Sequence, residues 1–286
     1  MLPTLYIHIG AHKTATTSVQ FWLTKNRDEL LRHGLLYPDT NAFHFAQHRL
    51  AFALRQRRDK HRGDVPDLDA EVAHLRAAVL ASDAPAALVS SEDFFASRRK
   101  NVLAFRKTLD FCKPVILATV RRQDDFLISS YDQNAKTPGN GFTKPLRYFV
   151  ENPRKVNADI SFWKHLQTWS AVFGQDAVRL KRYEDAPPLA AMFSWLDLPE
   201  SLLPESQPAL NKSRPALASE AVRHAKKLGL SFKAQHFVLR LVSRIASTGK
   251  GYQLSPADRR RILAEFAEEN DAMFAAFGME NTYRPS

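Results

Sequence analysis

A lysine and several hydroxyl residues occupy a short turn between a predicted strand and a predicted helix. The turn GAHKTATTSVQ (10–20) follows the β-branched and aromatic run LYIHI (5–9), and the amphipathic run SVQFWLTKNRDELLRHG (18–34) follows the turn. This layout is typical of a phosphate-binding loop, in which backbone N–H groups at a helix N-terminus face an anion. The residues predicted to surround the phosphate are His12, Lys13, Thr14, Ala15, Thr16, Thr17 and Ser18.

The position of the lysine sets this turn apart from the loop of nucleoside triphosphatases. In G-x-x-x-x-G-K-[ST] the lysine follows the last glycine and precedes a magnesium-binding hydroxyl. Here Lys13 follows His12 and comes three residues after Gly10, and the turn has no second glycine. The spacing therefore predicts a phosphate site that differs from the magnesium-dependent one.

A second candidate anion site lies in VRRQDDFLISSY (120–131). Arg121 ends the apolar run PVILATVRR (114–122), which reads as a buried strand. Ser129 comes eight residues later, about two turns into the predicted helix that follows. Arg121 and Ser129 could therefore bind one anion together.

Together the two stretches resemble the sulfotransferases that use 3′-phosphoadenosine-5′-phosphosulfate (PAPS), particularly their bacterial branch. In that family K-T-G-T-T holds the 5′-phosphosulfate and R-x-P-x-D-x-x-x-S-x-Y holds the 3′-phosphate. This chain has KTATT (13–17) and RRQDDFLISSY (121–131), with Ala15 and Gln123 in place of the family's glycine and proline. We expect Ala15 to replace the glycine with a negative φ. Shorter similarities are KRYED (181–185), NKSRP (211–215) and EENDAMFAAFG (268–278).

The resemblance implies roles for these residues. PAPS would be the co-substrate and PAP the product, with no metal required. Lys13 would be the cation near the oxygen that bridges phosphate and sulfate, where negative charge develops as the bond breaks. Arg121 and Ser129 would select PAPS over ATP, because only PAPS has a 3′-phosphate. Residues expected to line the adenosine pocket or close over the 3′-phosphate are Tyr183, Lys212 and Arg214.

Attack by an acceptor hydroxyl also needs a general base. Glu92 is the first candidate, because it ends the predicted strand AALVSSE (86–92); a helix cap or a lysine partner is the alternative role. His44 and His48 are four residues apart on one face of a helix predicted within residues 42–54. That spacing also suits a metal, but no third ligand is evident.

The alternation of strands and helices predicts an α/β fold of the P-loop type, a parallel sheet flanked by helices. Its strands are predicted in residues 5–9, 86–92, 114–122 and 177–185, and ligands gather at the carboxyl ends of such strands. After them the pattern is helical. We predict one domain over residues 1–286, with an α/β core in 1–185 and a mainly helical C-terminal part in 186–286.

The composition leaves two other functions open. The chain has 41 Lys and Arg against 30 Asp and Glu, a net charge of +11, which favours anionic ligands of any kind. A magnesium-dependent kinase could use ALVSSED (87–93) as a strand ending in an acid, although the position of Lys13 argues against it. A non-catalytic nucleotide- or nucleic-acid-binding module could use RQRRDKHR (55–62). That run lacks interleaved aromatic residues and predicts an exposed loop, so no nucleic-acid partner is expected.

Location and partners are less constrained by the sequence. Cys112 is the one cysteine, which excludes an internal disulfide and favours a buried apolar role. The sequence has no signal-peptide pattern and no apolar run of about 20 residues, so we expect a cytoplasmic protein without a transmembrane segment. The acceptor (a glycan, a lipid headgroup or a small alcohol), the oligomeric state and any peripheral membrane contact stay open.

Overall fold

The computed structural model describes residues 2–39, 45–59, 62–205, 215–246 and 250–285, which form parts of two compact units. The first unit comprises residues 1–121 and 162–210, and the second comprises residues 122–161 and 211–286. The predictions for His44, Lys212 and Arg214 lie outside the described residues. The single domain with a division near residue 185 stays a prediction.

The first unit contains a five-stranded parallel sheet of order β2-β3-β1-β4-β5. Its central strand β1 places Leu5, Ile7 and Ile9 at full burial, as expected for a parallel strand covered on both faces. The predicted α/β fold, a parallel sheet flanked by helices, is confirmed. The strands are β1 (Thr4–Gly10), β2 (Leu35–Leu36), β3 (Ala86–Ser90), β4 (Lys113–Val120) and β5 (Val178–Arg182).

Helices follow the strands in the first unit and make up the regular structure of the second. In the first unit they are α1 (Thr16–Lys25), α2 (Arg27–Arg32), α3 (His48–Arg55), α4 (Leu68–Leu80), α5 (Arg99–Lys107), α9 (Phe162–Phe173) and α10 (Pro188–Leu196). In the second they are α6 (Gln123–Lys136), α7 (Leu146–Glu151), α8 (Pro153–Val156), α11 (Ala216–Lys227), α12 (Phe232–Ile245), α13 (Pro256–Glu265) and α14 (Ala267–Ala276). The described parts of the C-terminal region are thus helical, as predicted. No helix among the described residues is long and apolar enough to cross a membrane.

A hydrophobic cluster fixes α1 against the sheet. Trp22 and Leu23 of α1 share this cluster with Leu88 of β3, Leu117 of β4 and Phe193 of α10. The rings of Trp22 and Phe193 meet edge to face with centroids 5.0 Å apart. Burial of a large apolar side chain stabilises a fold by about 1.5–3 kcal/mol. This packing fixes α1 against the sheet, and the N-terminus of α1 in turn positions the preceding loop.

In the second unit, α6 is held by polar contacts as well as by packing. The Tyr131 hydroxyl donates to Glu220 at 2.6 Å, and the buried carboxylate of Asp124 accepts from Arg122 at 2.8 Å. The buried amides of Gln123 and Asn270 exchange two hydrogen bonds, at 2.6 and 3.1 Å. Gln123, which replaces the proline of the resembled motif, is therefore bonded to a residue of the EENDAMFAAFG segment.

Candidate active site

The loop between β1 and α1 has the strand-loop-helix layout that the sequence predicts. The Ala11 N–H donates to the Thr119 carbonyl of β4 at 2.6 Å, and the Thr14 hydroxyl donates to the Ala11 carbonyl at 2.7 Å. Thr16 and Thr17 open α1, where helix geometry gives the first N–H groups no intrahelical acceptor. The partial positive charge of this helix end favours an anion.

The loop backbone enters the left-handed region at three residues. Gly10 has φ 86°, Lys13 has φ 65° and Ala15 has φ 58°. The expectation that Ala15 has a negative φ is therefore wrong. This conformation costs an L-residue about 1–2 kcal/mol and costs glycine almost nothing, which explains why the resembled motif has glycine at this position. The chain holds strained backbone next to the predicted phosphate site.

Glu92 lies directly against the start of this loop. A Cβ built on Gly10 would lie 3.0 Å from the Glu92 Cβ and 3.1 Å from its Cα, so only glycine fits without a shift. Glu92 opens a short 3₁₀ turn (Glu92–Phe94) after β3. The N-cap of that turn is Ser91, whose hydroxyl accepts from the Asp93 N–H at 3.2 Å. The alternative role of Glu92 as a helix cap is thus not observed.

The Glu92 carboxylate is ionised at neutral pH. Burial raises its pKa, but the charges of His12 and His48 and a hydrogen bond from Gln20 together lower it below its ordinary value of 4.5. The Gln20 Nε2 donates to Oε2 of Glu92 at 3.0 Å. Glu92 is therefore an oriented carboxylate that lies near two histidines and the loop.

A buried polar chain extends from Glu92 into the sheet. The Gln20 Nε2 also lies 3.1 Å from the Ser90 hydroxyl, which lies 2.8 Å from the His8 Nδ1. Burial lowers the pKa of His8 to about 4, although the negative charge of Glu92 opposes that shift. His8 and Gln20 are not among the site residues predicted from the sequence. The signal that could have identified them is a polar residue on the otherwise apolar, buried face of β1 or of α1.

Arg121 connects the two sequence motifs. Its Nη1 donates to the Lys13 carbonyl at 3.0 Å, and its guanidinium carbon lies 4.8 Å from the centre of the Tyr183 ring. Its Nε is buried without a hydrogen-bond partner in the part of the chain that the structure describes. Lys13, Arg121 and Tyr183 are therefore neighbours, and the orphaned N–H is a donor that a bound anion would satisfy. Ser129 lies in α6 of the second unit, and its pairing with Arg121 stays a prediction.

His48 also lies near Glu92, although in a different local structure from the predicted one. The helix predicted within residues 42–54 begins at His48, because Gln47 exchanges hydrogen bonds with the backbone of Ser90 at 3.0 and 2.8 Å. Residues 45–47 are not helical, so the described part of the predicted helix is shorter than expected, and the shared face of His48 with His44 lies outside the described residues. The His48 Nδ1 lies 2.8 Å from the Ser91 hydroxyl and 3.5 Å from Asp93 Oδ2. His48 is thus oriented by two groups of the turn that contains Glu92.

The described residues supply no complete metal site. Among the described residues, no group of three or more His, Cys, Asp and Glu side chains could hold a metal ion. His44 itself is not among those residues. A reaction without a metal stays a prediction.

The fold itself matches a solved structure over nearly the whole chain. A sulfotransferase from Alicyclobacillus acidocaldarius aligns with 98% of this chain and 97% of its own, with a TM-score of 0.53 and 14% sequence identity. The chain has a sulfotransferase-like fold. An uncharacterised protein of Archaeoglobus fulgidus is 26% identical over 209 residues, which is 68% of this chain and 55% of that protein. No family model matches the chain.

Within this sulfotransferase-like fold, the first unit brings most of the predicted site residues together. The loop around Lys13 contacts Arg121 on one side and Glu92 on the other. Tyr183 follows β5 and is tied to β4 through its N–H, which donates to the Val120 carbonyl at 2.7 Å. The arrangement provides cationic and N–H donors for an anion beside one ionised carboxylate.

Proposed function

We propose that this protein is a PAPS-dependent sulfotransferase, which transfers a sulfuryl group to an acceptor hydroxyl or amine and releases PAP. The main support is the environment of Arg121. Arg121 donates to the Lys13 carbonyl, lies over the Tyr183 ring and has a buried donor without a partner among the described residues. Arg121 of the second motif thus contacts the loop of the first motif, which supports binding of one nucleotide by residues of both.

The donor set of the first unit fits the proposed co-substrate. The N–H groups at the start of α1 and the ammonium of Lys13 would hold the 5′-phosphosulfate. Arg121 would hold the 3′-phosphate with its free Nε–H, and Tyr183 would line the adenosine pocket. Ser129, Lys212 and Arg214 are proposed as further 3′-phosphate contacts.

PAPS supplies an activated sulfuryl group, and the protein supplies a cation and a base. Lys13 stabilises the charge that develops on the bridging oxygen as its bond to sulfur breaks. Glu92 accepts the proton of the acceptor hydroxyl while the acceptor oxygen bonds to sulfur. Gln20 holds the Glu92 carboxylate in place, and the lowered pKa of Glu92 keeps it in the proton-accepting form. His48, oriented by Ser91 and Asp93, is the alternative base.

Ligand-dependent thermal unfolding tests this proposal against a magnesium-dependent kinase and a nucleic-acid-binding module. A ligand that binds only the native state raises its stability, by about 2.7 kcal/mol at one hundred times Kd. We expect PAP to raise Tm more than magnesium-ATP or an oligonucleotide. Stabilisation by magnesium-ATP without stabilisation by PAP would instead identify the kinase. Turnover of labelled PAPS with a panel of alcohols, glycans and lipids, in the presence of EDTA, would then identify the acceptor class.

A further inference from the structure

The second unit exposes one face of α12 that combines apolar and basic side chains. Phe237, Leu241 and Ile245 are 65%, 46% and 75% exposed and are spaced four residues apart, so they form one stripe along the helix. Leu228 and Leu230, in the turn before α12, are 76% and 40% exposed. Exposed apolar side chains grouped in this way mark an interaction surface rather than scattered surface residues.

Cations lie beside this apolar stripe. Lys233, Arg240 and Arg244 are exposed and occupy positions seven and four residues apart, so they form a second stripe on the neighbouring side of α12. Lys233 and Arg240 line a shallow depression of about 400 Å³ with Phe232 and Phe237, so charged groups and aromatic rings face the same space. Long cationic side chains can keep their charges in a polar layer while their stems cover an apolar one.

The surrounding sequence contains no opposing charge. No Asp or Glu occurs between Glu220 and Asp258, whereas this segment contains seven Lys and Arg. Two of these cations serve the fold of the second unit: Arg223 is paired with Glu220, and Lys226 donates to the carbonyls of Asn134 and Ala135. The cations of α12 have no carboxylate within their own segment, so they complement an anionic partner.

The opposite side of α12 holds the helix on its unit. Leu239 and Gln235 are buried, and the Gln235 side chain accepts from the Gly139 N–H at 2.8 Å. The helix begins with a side-chain cap from Ser231, which accepts from the Ala234 N–H. The exposed face is therefore presented by an anchored helix, and substitutions on that face leave the packed side unchanged.

We propose that α12 and the turn before it bind the surface of an anionic lipid bilayer. A helix with a continuous apolar stripe beside cations lies in the headgroup region, with its apolar face buried and its cations near lipid phosphates. A nucleic acid would use the cations but would leave the stripe of Phe237, Leu241 and Ile245 exposed. The proposal does not depend on the proposed transferase activity, because it concerns binding alone.

Vesicle co-sedimentation of the full chain tests the proposal. We expect binding to vesicles of phosphatidylcholine with phosphatidylglycerol, little binding to phosphatidylcholine alone, and weaker binding as salt is raised. Replacement of Arg240 and Arg244 by Gln should lower the partition coefficient by about fivefold for each charge. The double variant Phe237→Ser, Ile245→Ser should lower it at least as much, because the buried apolar area is lost.

Matched controls come from the first unit. Arg99→Gln with Lys100→Gln removes two exposed charges, and Leu80→Ser removes a leucine that is 56% exposed. Both controls should bind vesicles like the unmodified chain. Equal binding to neutral and anionic vesicles, or equal losses in the control and α12 variants, would overturn the proposal. A dimer in sedimentation velocity that Phe237→Ser converts to a monomer, without vesicle binding, would assign the face to a second copy of the chain.

Discussion

The guanidinium group of Arg121 has two neighbours and one buried N–H without a partner among the described residues, so its contribution to binding can be tested by the choice of ligand. Nη1 donates to the Lys13 carbonyl, the guanidinium carbon lies 4.8 Å from the centre of the Tyr183 ring, and the buried Nε has no partner among the described residues. A ligand with a 3′-phosphate should use that nitrogen, and a ligand without one should not.

The first prediction is that Arg121→Ala weakens PAP binding by at least about 1.5 kcal/mol, because a charge-assisted hydrogen bond is worth that much. Binding of adenosine 5′-phosphosulfate, which lacks the 3′-phosphate, should barely change. Calorimetry with both ligands measures the difference. Arg106→Ala, which removes an exposed arginine of α5, is the control for net charge. Equal losses for the two ligands would show that Arg121 acts only through the loop.

The second prediction concerns Lys13. Lys13→Ala should reduce kcat more than it weakens PAP binding, because the bridging oxygen becomes fully anionic only as sulfur leaves. Loss of a contact made mainly in the transition state typically costs about 10²-fold or more in kcat. Single-turnover rates and PAP titrations on the same variant give the two numbers. An equal loss in both would make Lys13 a binding residue alone.

The third prediction distinguishes the two candidate bases. Glu92→Gln should preserve PAP affinity and lower kcat by roughly 10²- to 10⁴-fold. Because the pKa of Glu92 is lowered, the proposed activity of the unmodified protein should fall with acid only below pH 4.5, as the carboxylate takes up a proton. Glu92→Gln should remove this acidic limb. If His48→Asn removes it instead, and Glu92→Gln retains turnover, His48 is the base; His44→Ala is measured in parallel.

Among single residues, the motif positions could be predicted and the supporting residues could not. Lys13, Arg121 and Tyr183 stand at the ends of recognisable strands, so their gathering follows from parallel topology. Both Gln20 and His8 contact Ser90, which lies 70 positions from Gln20 and 82 positions from His8 in the sequence. No local pattern encodes such a contact, because it depends on how α1 and β1 pack beside β3.

Among the elements, long apolar runs predict strands well and short ones do not. Strands β1, β3 and β4 lie where apolar runs predict them, and β5 lies within the predicted 177–185 although its side chains after Val178 are exposed or half-buried. The two-residue strand β2 is too short to give a pattern. For helix α3 the sequence pattern predicts an element that is longer than the observed one. Its periodicity extends before His48, but Gln47 is held by the end of β3 through hydrogen bonds that outweigh local helix propensity.

The strained backbone of the loop before α1 leads to a prediction about folding stability. Ala15→Gly should stabilise the folded protein by roughly 0.5–1 kcal/mol, because relief of about 1–2 kcal/mol of left-handed strain exceeds the added entropy of glycine in the unfolded chain. Urea unfolding measures the change. Ala11→Gly, at a buried position of the same loop that does not have a positive φ, should destabilise the protein instead. A lower free energy of unfolding for Ala15→Gly would show that the backbone at residue 15 is not strained in the folded protein.

In the whole molecule, positively charged residues are available for two different uses, which are surface binding by α12 and anion binding at the candidate site. The excess of cations in the segment after Glu220 supports surface binding by α12, whereas Lys13 and Arg121 of the first unit lie together at the candidate anion site. Net charge alone could not distinguish these uses, because +11 favours every anionic partner equally. The buried polar chain from His8 to Glu92 adds a further property, which is a dependence of folding stability on pH.

The last prediction follows from the neutral state of His8. Its pKa is 6.5 in the unfolded chain and about 4 in the folded one, so between these values the unfolded state binds more protons. Stability should therefore fall as pH falls from 6.5 towards 4, by roughly 3 kcal/mol at about 1.4 kcal/mol per pH unit. Glu92, with a lowered pKa, adds a further loss only below 4.5.

Urea unfolding of the unmodified chain and of His8→Gln, at several values between pH 7.5 and pH 5, isolates this contribution. Other titrating groups are common to both proteins, so the difference between the two curves reports His8. The free energy of unfolding of the unmodified chain should decline more steeply with acid than that of the variant, whose amide can still bond to Ser90 but takes up no proton. Parallel curves would show that His8 takes up the same number of protons in the folded and unfolded states, and would therefore contradict a pKa of His8 that is lowered by folding.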